Sequence, residues 1–256
     1  MEKIGLVPAA GKATRMPALP CSKEILPVAF TAEACREKMG PVSQNLLACF
    51  RAAECKQVYW VLNPYKLDIA SYYSRTHPGL DLAYLVIEKS AGVPYSIDFA
   101  YGFTRGKRVM MGFGDIWLGP PDVFRQVEKG LDAAGADLAL GLFPVENEKI
   151  KKRSDMVAIT ADGRITGIQV KPPRSDLKYS WALAVWQPRF TDFIHALVKE
   201  HRPQRSELHL GHLFQKALEK GLRLAGTCFD GHRFIDIGTP ESWCAFNRSQ
   251  NLARQG

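Results

Sequence analysis

The chain holds 256 residues, 46% apolar and 23% charged, with 6 cysteines and a formal charge of +8. Such a mixture excludes a disordered or fibrous polypeptide and a small scaffold held by disulfides, and it suits one large α/β unit with a substantial core. The positive balance fits either nucleic acid or a cleft that draws in small anions, and composition does not choose between them.

Apolar runs rich in β-branched and aromatic residues recur at 3–8, 56–62, 81–87, 107–113 and 136–143, with helix-like stretches between most of them. Strand then helix, repeated, predicts a parallel sheet with helices on its faces. Pro41 is expected to open a helix, with Leu46, Leu47, Phe50 and Ala53 at helical spacing and the ring at a first-turn position that needs no N–H. The basic run from Lys149 to Arg153 follows Glu146 and Glu148 and has no apolar period, so it reads as a solvated loop. It lacks the alternating aromatics of a nucleic-acid surface. Asp162-Gly163, between apolar segments at 156–159 and 165–168, marks a hairpin and predicts antiparallel strands added to the edge of the parallel core. Helices near 189–200 and 207–220, a short strand ending at Asp236 and a final helix after Pro240 complete the order. No stretch has the length and apolarity of a membrane span, the N-terminus lacks a cleavage signal, and no Cys-x-x-Cys occurs. The expectation is a soluble cytoplasmic protein with reduced thiols, in contact with neither membrane nor nucleic acid.

In an open parallel sheet, ligands collect beyond the carboxyl ends of the strands, so the residues just after each run carry most weight. After the first run, Ala9, Ala10, Gly11 and Ala13 have little or no side chain. Their backbone N–H groups can approach phosphate oxygens as an anion-binding concavity, with Arg15 and Lys23 supplying charge at two distances. From Gly11 alone, an ordinary strand-to-helix turn would look the same. A dinucleotide fingerprint does not fit, because Ala13 stands where its next glycine belongs. Asp115 follows one strand and Asp236 ends another; singly each reads as a turn or cap residue, but at one rim the two could hold Mg²⁺ together with phosphate oxygens. Lys171-Pro172 is either a phosphate contact or a snorkelling surface lysine. His209 and His212 share a helical face, with no third zinc ligand in view. Trp117, Trp181 and Trp186 could stack on a base or fill the core. No Ser/His/Asp or Cys/His nucleophile arrangement is present.

Gly11-Lys12-Ala13-Thr14-Arg15 followed by Ser22-Lys23-Glu24-Ile25-Leu26-Pro27 resembles the Gly-x-Gly-Thr-Arg, Pro-Lys and Leu-Pro signature of the sugar-1-phosphate nucleotidyltransferases. Gly114-Asp115 is similar to the family's Gly-Asp, and Lys171-Pro172 to its Glu-Lys-Pro. Phe234-Ile235-Asp236-Ile237-Gly238-Thr239-Pro240-Glu241 is very close to its Trp-x-Asp-x-Gly-Thr-Pro-Glu, with Thr239 placed to cap the last helix. Glu207-Leu208-His209-Leu210-Gly211 matches a Glu-Leu-x-Leu-Thr-Asp segment more loosely. The matches span nearly the whole chain and lean toward the thymidylyltransferases and uridylyltransferases.

The resemblance implies a three-layer α/β/α sandwich of Rossmann-like type with a mixed, mostly parallel sheet, in a single nucleotidyltransferase domain over 1–256. It implies an enzyme that couples a nucleoside triphosphate (dTTP, UTP or CTP) to a sugar 1-phosphate and releases pyrophosphate. Carried over position by position, Arg15 would stabilise the pyrophosphate, Lys23 the α-phosphate region, and Lys171 the attacking phosphate. Asp115 and Asp236 would fix Mg²⁺. Ala9, Ala10, Gly11, Lys12, Thr14, Glu88 and Gly92 would bind the nucleotide, and Asp155, Val170 and Glu207 would border the second substrate. The implied partners are the triphosphate and a small phosphorylated compound, with homo-oligomerisation left open. The β-helix extension of some relatives is not expected after the final helix.

The departures concentrate at the second substrate. Val170 replaces the glutamate that reaches sugar hydroxyls, Asp155 stands near a usual glycine, and Ala182 near another. Ala13 also replaces the second glycine of the signature, and Glu88 with Ser90-Ala91-Gly92 matches the base-reading segment only loosely. An unusual sugar phosphate or another phosphorylated alcohol is therefore the expected acceptor. The alternatives are a cytidylyltransferase acting on a non-sugar phosphorylated alcohol or phosphonate, and a non-catalytic nucleotide-sugar-binding protein. A metal-dependent glycosyltransferase is disfavoured because Asp115-Ile116-Trp117 lacks Asp-x-Asp.

Overall fold

The computed structural model describes residues 1–11, 16, 19–32, 35–75, 79–201 and 208–252. Four of the expected runs form neighbouring parallel strands: β1 (Lys3–Pro8), a strand at Gln57–Leu62, one at Asp81–Val86 and one at Arg108–Gly112. Between the first two lie a hairpin of β2 (Pro27–Ala32) and β3 (Cys35–Pro41), then α1 (Ser43–Ala52), so the next strands are β4 and β5, with α2 (Leu67–Tyr73) between them. Helices α3 (Val93–Phe99) and α4 (Tyr101–Thr104) lead to β6 at Arg108–Gly112. The parallel order is β6-β1-β4-β5, with Ile4 opposite both Val109 and Gln57.

The chain continues through the two-residue strand β7 (Ile116–Trp117), α5 (Val123–Ala133), β8 (Leu138–Pro144) and the single turn α6 (Glu148–Lys151). The expected hairpin follows as β9 (Met156–Ile159) and β10 (Ile165–Gln169), then β11 (Tyr179–Trp186) and α7 (Pro188–Glu200). The described chain closes with α8 (Leu210–Glu219), β12 (Leu224–Cys228), β13 (Ile235–Asp236) and α9 (Pro240–Leu252). Strand β11 runs antiparallel between β6 and β8, while β12 is parallel to β8 beyond it. The sheet is thus mixed and mostly parallel.

Two expectations are corrected and one holds. Pro41 ends a strand, and the helix begins at Ser43; its register is otherwise as read, because Leu46, Leu47 and Phe50 are fully buried. The antiparallel strands stand where expected: β11 joins the parallel core along β6, and the β9–β10 hairpin ends the sheet beyond it. The basic run from 149 begins within a helical turn capped by Asn147, whose side chain accepts from Lys149 N–H at 2.8 Å.

Alternation along the strands sorts side chains into two layers. Val58, Trp60 and Leu62 of β4 join Phe50 and Phe124 on the α1 and α5 face, while Tyr59 and Val61 join Trp186, Phe190 and Phe214 on the α7 and α8 face. Because helices cover both faces, the central strands read as continuous apolar runs. Val28, Val42, Ile237 and Phe246 form a separate cluster that binds the β2–β3 hairpin, β13 and α9 into a flap beside the carboxyl ends of β1 and β6.

Candidate functional site

Strands β1, β4, β5 and β6 run in one direction, so residues 9–11, 63–66, 87–92 and 113–115 follow their carboxyl ends as neighbours. Ala9 N–H donates to Val61 O at 2.8 Å, continuing the β1–β4 ladder past Pro8. Asn63 Nδ2 then donates to Ala10 O at 3.0 Å and Gly11 O at 3.3 Å. Ala9 and Ala10 are buried and Gly11 is exposed. Glu88 is exposed beyond β5, and Gly92, at φ 132°, opens α3 with Ser90 Oγ donating to its carbonyl at 2.7 Å. A left-handed φ of this kind is open to glycine and strained for other residues.

Two carboxylates from distant parts of the sequence meet here. Asp115 follows Gly114 at the end of β6, and Asp236 lies opposite Ile116 in the two-residue pairing of β7 with β13. Ile237 N–H donates to Asp115 O at 2.9 Å, so the backbone itself holds the segments together. Lys23, in a 3-10 turn at Lys23–Ile25, places its ammonium on Asp115 Oδ2. Burial alone would push the Asp115 carboxyl up, but the adjoining ammonium outweighs it and holds the group below its ordinary value. Burial would likewise lower the Lys23 ammonium, yet Asp115, Glu24 and Asp236 together raise it. Both groups are therefore charged at neutral pH, and Asp236 lies close enough for its field to be felt at Lys23.

Beneath this pair is a second one. Lys66 Nζ donates to Glu24 Oε1 at 2.6 Å, with Glu24 2% and Lys66 5% exposed. Burial raises the Glu24 carboxyl even though Lys66 and Lys23 pull it down. Gly114 makes room for this layer: a Cβ there would lie 3.0 Å from Glu24 Cγ and 3.1 Å from Trp60 Cη2.

The residues expected at the second substrate form another group. Asp155 and Val170 converge on the start of α8, where a Cβ on Gly211 would lie 2.6 Å from Asp155 Oδ2 and 2.9 Å from Val170 Cγ2. Lys171, exposed and at φ 43°, brings Nζ to 3.5 Å from His209 Nδ1. Trp181 links the groups, its ring 5.9 Å from Phe113 and 5.0 Å from Phe214 of α8. Trp186 is core, and Trp117 packs on Phe246 at 4.9 Å in the flap. The Thr239 cap is present: Ser242 N–H donates to Thr239 Oγ1 at 3.3 Å.

Lys12, Thr14, Arg15 and Glu207 lie outside the described residues, as does Ala13. Of the remaining expected residues, Lys23, Asp115 and Asp236 meet in one group, while Asp155, Val170 and Lys171 gather around α8. Sequence reasoning passed over Glu24, Asn63, Lys66 and Asp68. The Asn63-Pro64 pair directly after a strand was a turn signal that could have drawn attention to them.

The family model described as nucleotidyl transferase matches residues 4–251. Among solved structures, the chain resembles a UDP-glucose pyrophosphorylase complexed with UDP-glucose, at TM-score 0.79 and 16% identity, over 99% of this chain and 100% of that one. It also resembles a protein described as a glucose-1-phosphate thymidylyltransferase from Bacillus anthracis, at TM-score 0.79 and 19% identity, over 99% and 96%. A third is the inositol-1-phosphate CTP transferase from T. maritima, at TM-score 0.73 and 15% identity, over 100% and 97%. No protein of curated function matches the sequence. No helix among the described residues is long and apolar enough to cross a membrane. With nearly its whole length covered by one family model, the chain belongs to the nucleotidyl transferase family.

Proposed function

We propose that this chain is a single nucleotidyltransferase domain over 1–256 that couples dTTP, UTP or CTP to a sugar 1-phosphate, releasing pyrophosphate. The observation that carries the reading is the meeting of Lys23, Asp115 and Asp236, from opposite ends of the sequence, beside the carboxyl ends of β1 and β6. Two carboxylates facing a cation form the donor set that Mg²⁺ uses when phosphate oxygens complete its shell, and Asp115 already holds a cation, the Lys23 ammonium. Asp115 and Asp236 would hold the ion; when bound, it supplies Lewis-acid charge to the phosphates.

Ala9, Ala10, Gly11, Lys12 and Thr14 bind the triphosphate, Ala9 through its small side chain because its N–H is held by Val61 O, with Glu88 and Gly92 toward the base. Arg15 and Lys23 stabilise charge on the phosphoryl chain, and Lys171 positions the attacking phosphate. Asp155, Val170 and Glu207 shape the acceptor pocket. Catalysis is then positioning and charge stabilisation, with no side-chain nucleophile. Buried thiols at Cys49 and Cys55 support a reducing, cytoplasmic setting.

A second reading, cytidylyl transfer to a non-sugar phosphorylated alcohol, is favoured by Asp155 and Val170, which put a carboxylate and an apolar side chain where sugar hydroxyls would need other partners. Its likeness in fold to an inositol-1-phosphate CTP transferase supports it. Pyrophosphate release over a panel of triphosphates and phosphorylated acceptors, with mass spectrometry of the coupled product, separates the two. Rapid turnover of glucose 1-phosphate would contradict an altered acceptor. Failure of dTTP, UTP and CTP alike, with Mg²⁺, to raise thermal stability would overturn the reading itself, since a ligand at a hundred times its Kd adds about 2.7 kcal/mol.

A further inference from the structure

The six residues after β4 hold both described ends of the stretch assigned to the triphosphate. Asn63 donates to Ala10 O and Gly11 O on the near side. Asp68 accepts from Ser22 N–H at 2.6 Å and from Ser22 Oγ at 2.6 Å on the far side, and Lys66 donates to Glu24 two residues on. The segment is itself fixed. Tyr65 N–H donates to Asn63 Oδ1 at 2.9 Å, which orients the amide with Nδ2 toward the Ala10 and Gly11 carbonyls, and Ile69 N–H donates to Asp68 Oδ1 at 3.0 Å. Pro64 fixes a further backbone angle between them. Asn63 is 8% and Lys66 5% exposed, so the Asn63–Ala10 and Lys66–Glu24 contacts are made away from competing water, while Asp68 and Ser22 are half-buried.

We propose that Asn63–Asp68 is a positioning clamp for the phosphate-binding stretch, with Asn63 and Asp68 as positioning residues that act through Ala10, Gly11 and Ser22 rather than by touching substrate. Groups that must be ordered around a polyanion cost conformational entropy on binding. Pinning Ala10, Gly11 and Ser22 to one rigid turn removes their part of that cost before the ligand arrives. This rests on the nucleotidyl-transfer reading for the identity of the ligand, while the clamp itself is a property of the free protein.

The test uses the full chain with Asn63→Ala, Asp68→Ala, Asp68→Asn and Ser22→Ala. Hydrogen exchange of the free protein is followed at residues 10–22, and the affinity for each triphosphate with Mg²⁺ is measured by calorimetry. The clamp predicts faster exchange confined to 10–22 and an affinity loss on the order of tenfold in the two alanine variants at 63 and 68, since each loses at least two hydrogen bonds, those at Asp68 to a charged group. Asp68→Asn, which keeps one acceptor, falls between, and Ser22→Ala reproduces part of the Asp68→Ala effect from the other side. Exchange that accelerates equally in β1, β4 and β6 marks a merely structural role and overturns the proposal. So does unchanged exchange at 10–22, or unchanged affinity in both variants. If the wild type binds none of the triphosphates, the functional reading fails, while the exchange arm still decides the clamp.

Discussion

Replacing Lys66 by Met strips the buried Glu24 carboxylate of the ammonium 2.6 Å away. Glu24 Oε2 is buried without a hydrogen-bond partner among the described residues, and the side chain is 2% exposed, so water cannot replace the lost charge. Breaking one partner of such a pair costs about 3–5 kcal/mol. At roughly 2–4 °C per kcal/mol for a chain of this size, the melting temperature should fall by about 6–20 °C. The double variant Glu24→Met/Lys66→Met should recover most of that loss, because replacing a whole buried pair by apolar groups of similar volume is close to neutral. Methionine is chosen at 24 because its unbranched Cγ fits the close approach at Gly114. The deficit also carries a pH signature. Burial raises the folded-state pKa of Glu24, so the folded protein binds more protons than the unfolded chain in the window between the ordinary and the raised value. Stability contributed by the protonated carboxyl is present below that window and lost as pH rises through it. Without Lys66 the window widens upward, so the Lys66→Met deficit should be smaller at about pH 5 than at about pH 8. Denaturant melts at both pH values measure it. A single variant as stable as wild type, or a deficit that does not shrink in acid, would refute this account of the pair.

Further outcomes follow from other contacts. Asp115→Asn should lower turnover by about a hundredfold or more, since several kcal/mol of charge stabilisation at the phosphates depends on that carboxylate; pyrophosphate release at saturating substrate reads it. The same change should destabilise the fold by leaving the Lys23 ammonium buried beside a neutral amide, which thermal melts will show. Gly211→Ala drives a methyl into Asp155 and Val170 and should cost about 1–3 kcal/mol. Adding Asp155→Gly should restore stability, and an unaltered single variant would show that the start of α8 yields. Burial pushes the Cys49 and Cys55 thiols up to about 12, so neither should react with a thiol reagent at neutral pH until the protein unfolds. Exposed Cys244 should react at once, and Cys228, raised by partial burial beside Asp230, more slowly.

The comparison of residues with fold is instructive at particular places. Strands β1, β4, β6 and β8 were legible because strands buried on both faces become unbroken apolar runs, and edge strand β5, only half-buried, still carries one. The β9–β10 hairpin was legible from Asp162-Gly163, whose glycine sits at φ 84°. The β2–β3 hairpin was missed and Pro41 assigned to a helix because Pro is tolerated equally at a strand end and in a first helical turn. Strand β11 was not among the runs read, although Tyr179–Trp186 is apolar over most of its length.

At the candidate site, the chain's own residue types determined where phosphate, metal and cation chemistry could reside: small residues after β1, lysines at 23 and 171, and aspartates at 115 and 236. Those choices are local, set by what can approach an anion or hold a cation, and local chemistry is written in residue types. Only the tertiary structure decided which of them meet. The pairing of β7 with β13 brings Asp236 to Asp115, Gly114 leaves room for the Glu24–Lys66 layer, and Asn63 and Asp68 grip a stretch far from them in sequence. Two-residue pairings and single buried side chains have no periodicity, so nothing along the chain announces them until packing has brought their partners into contact.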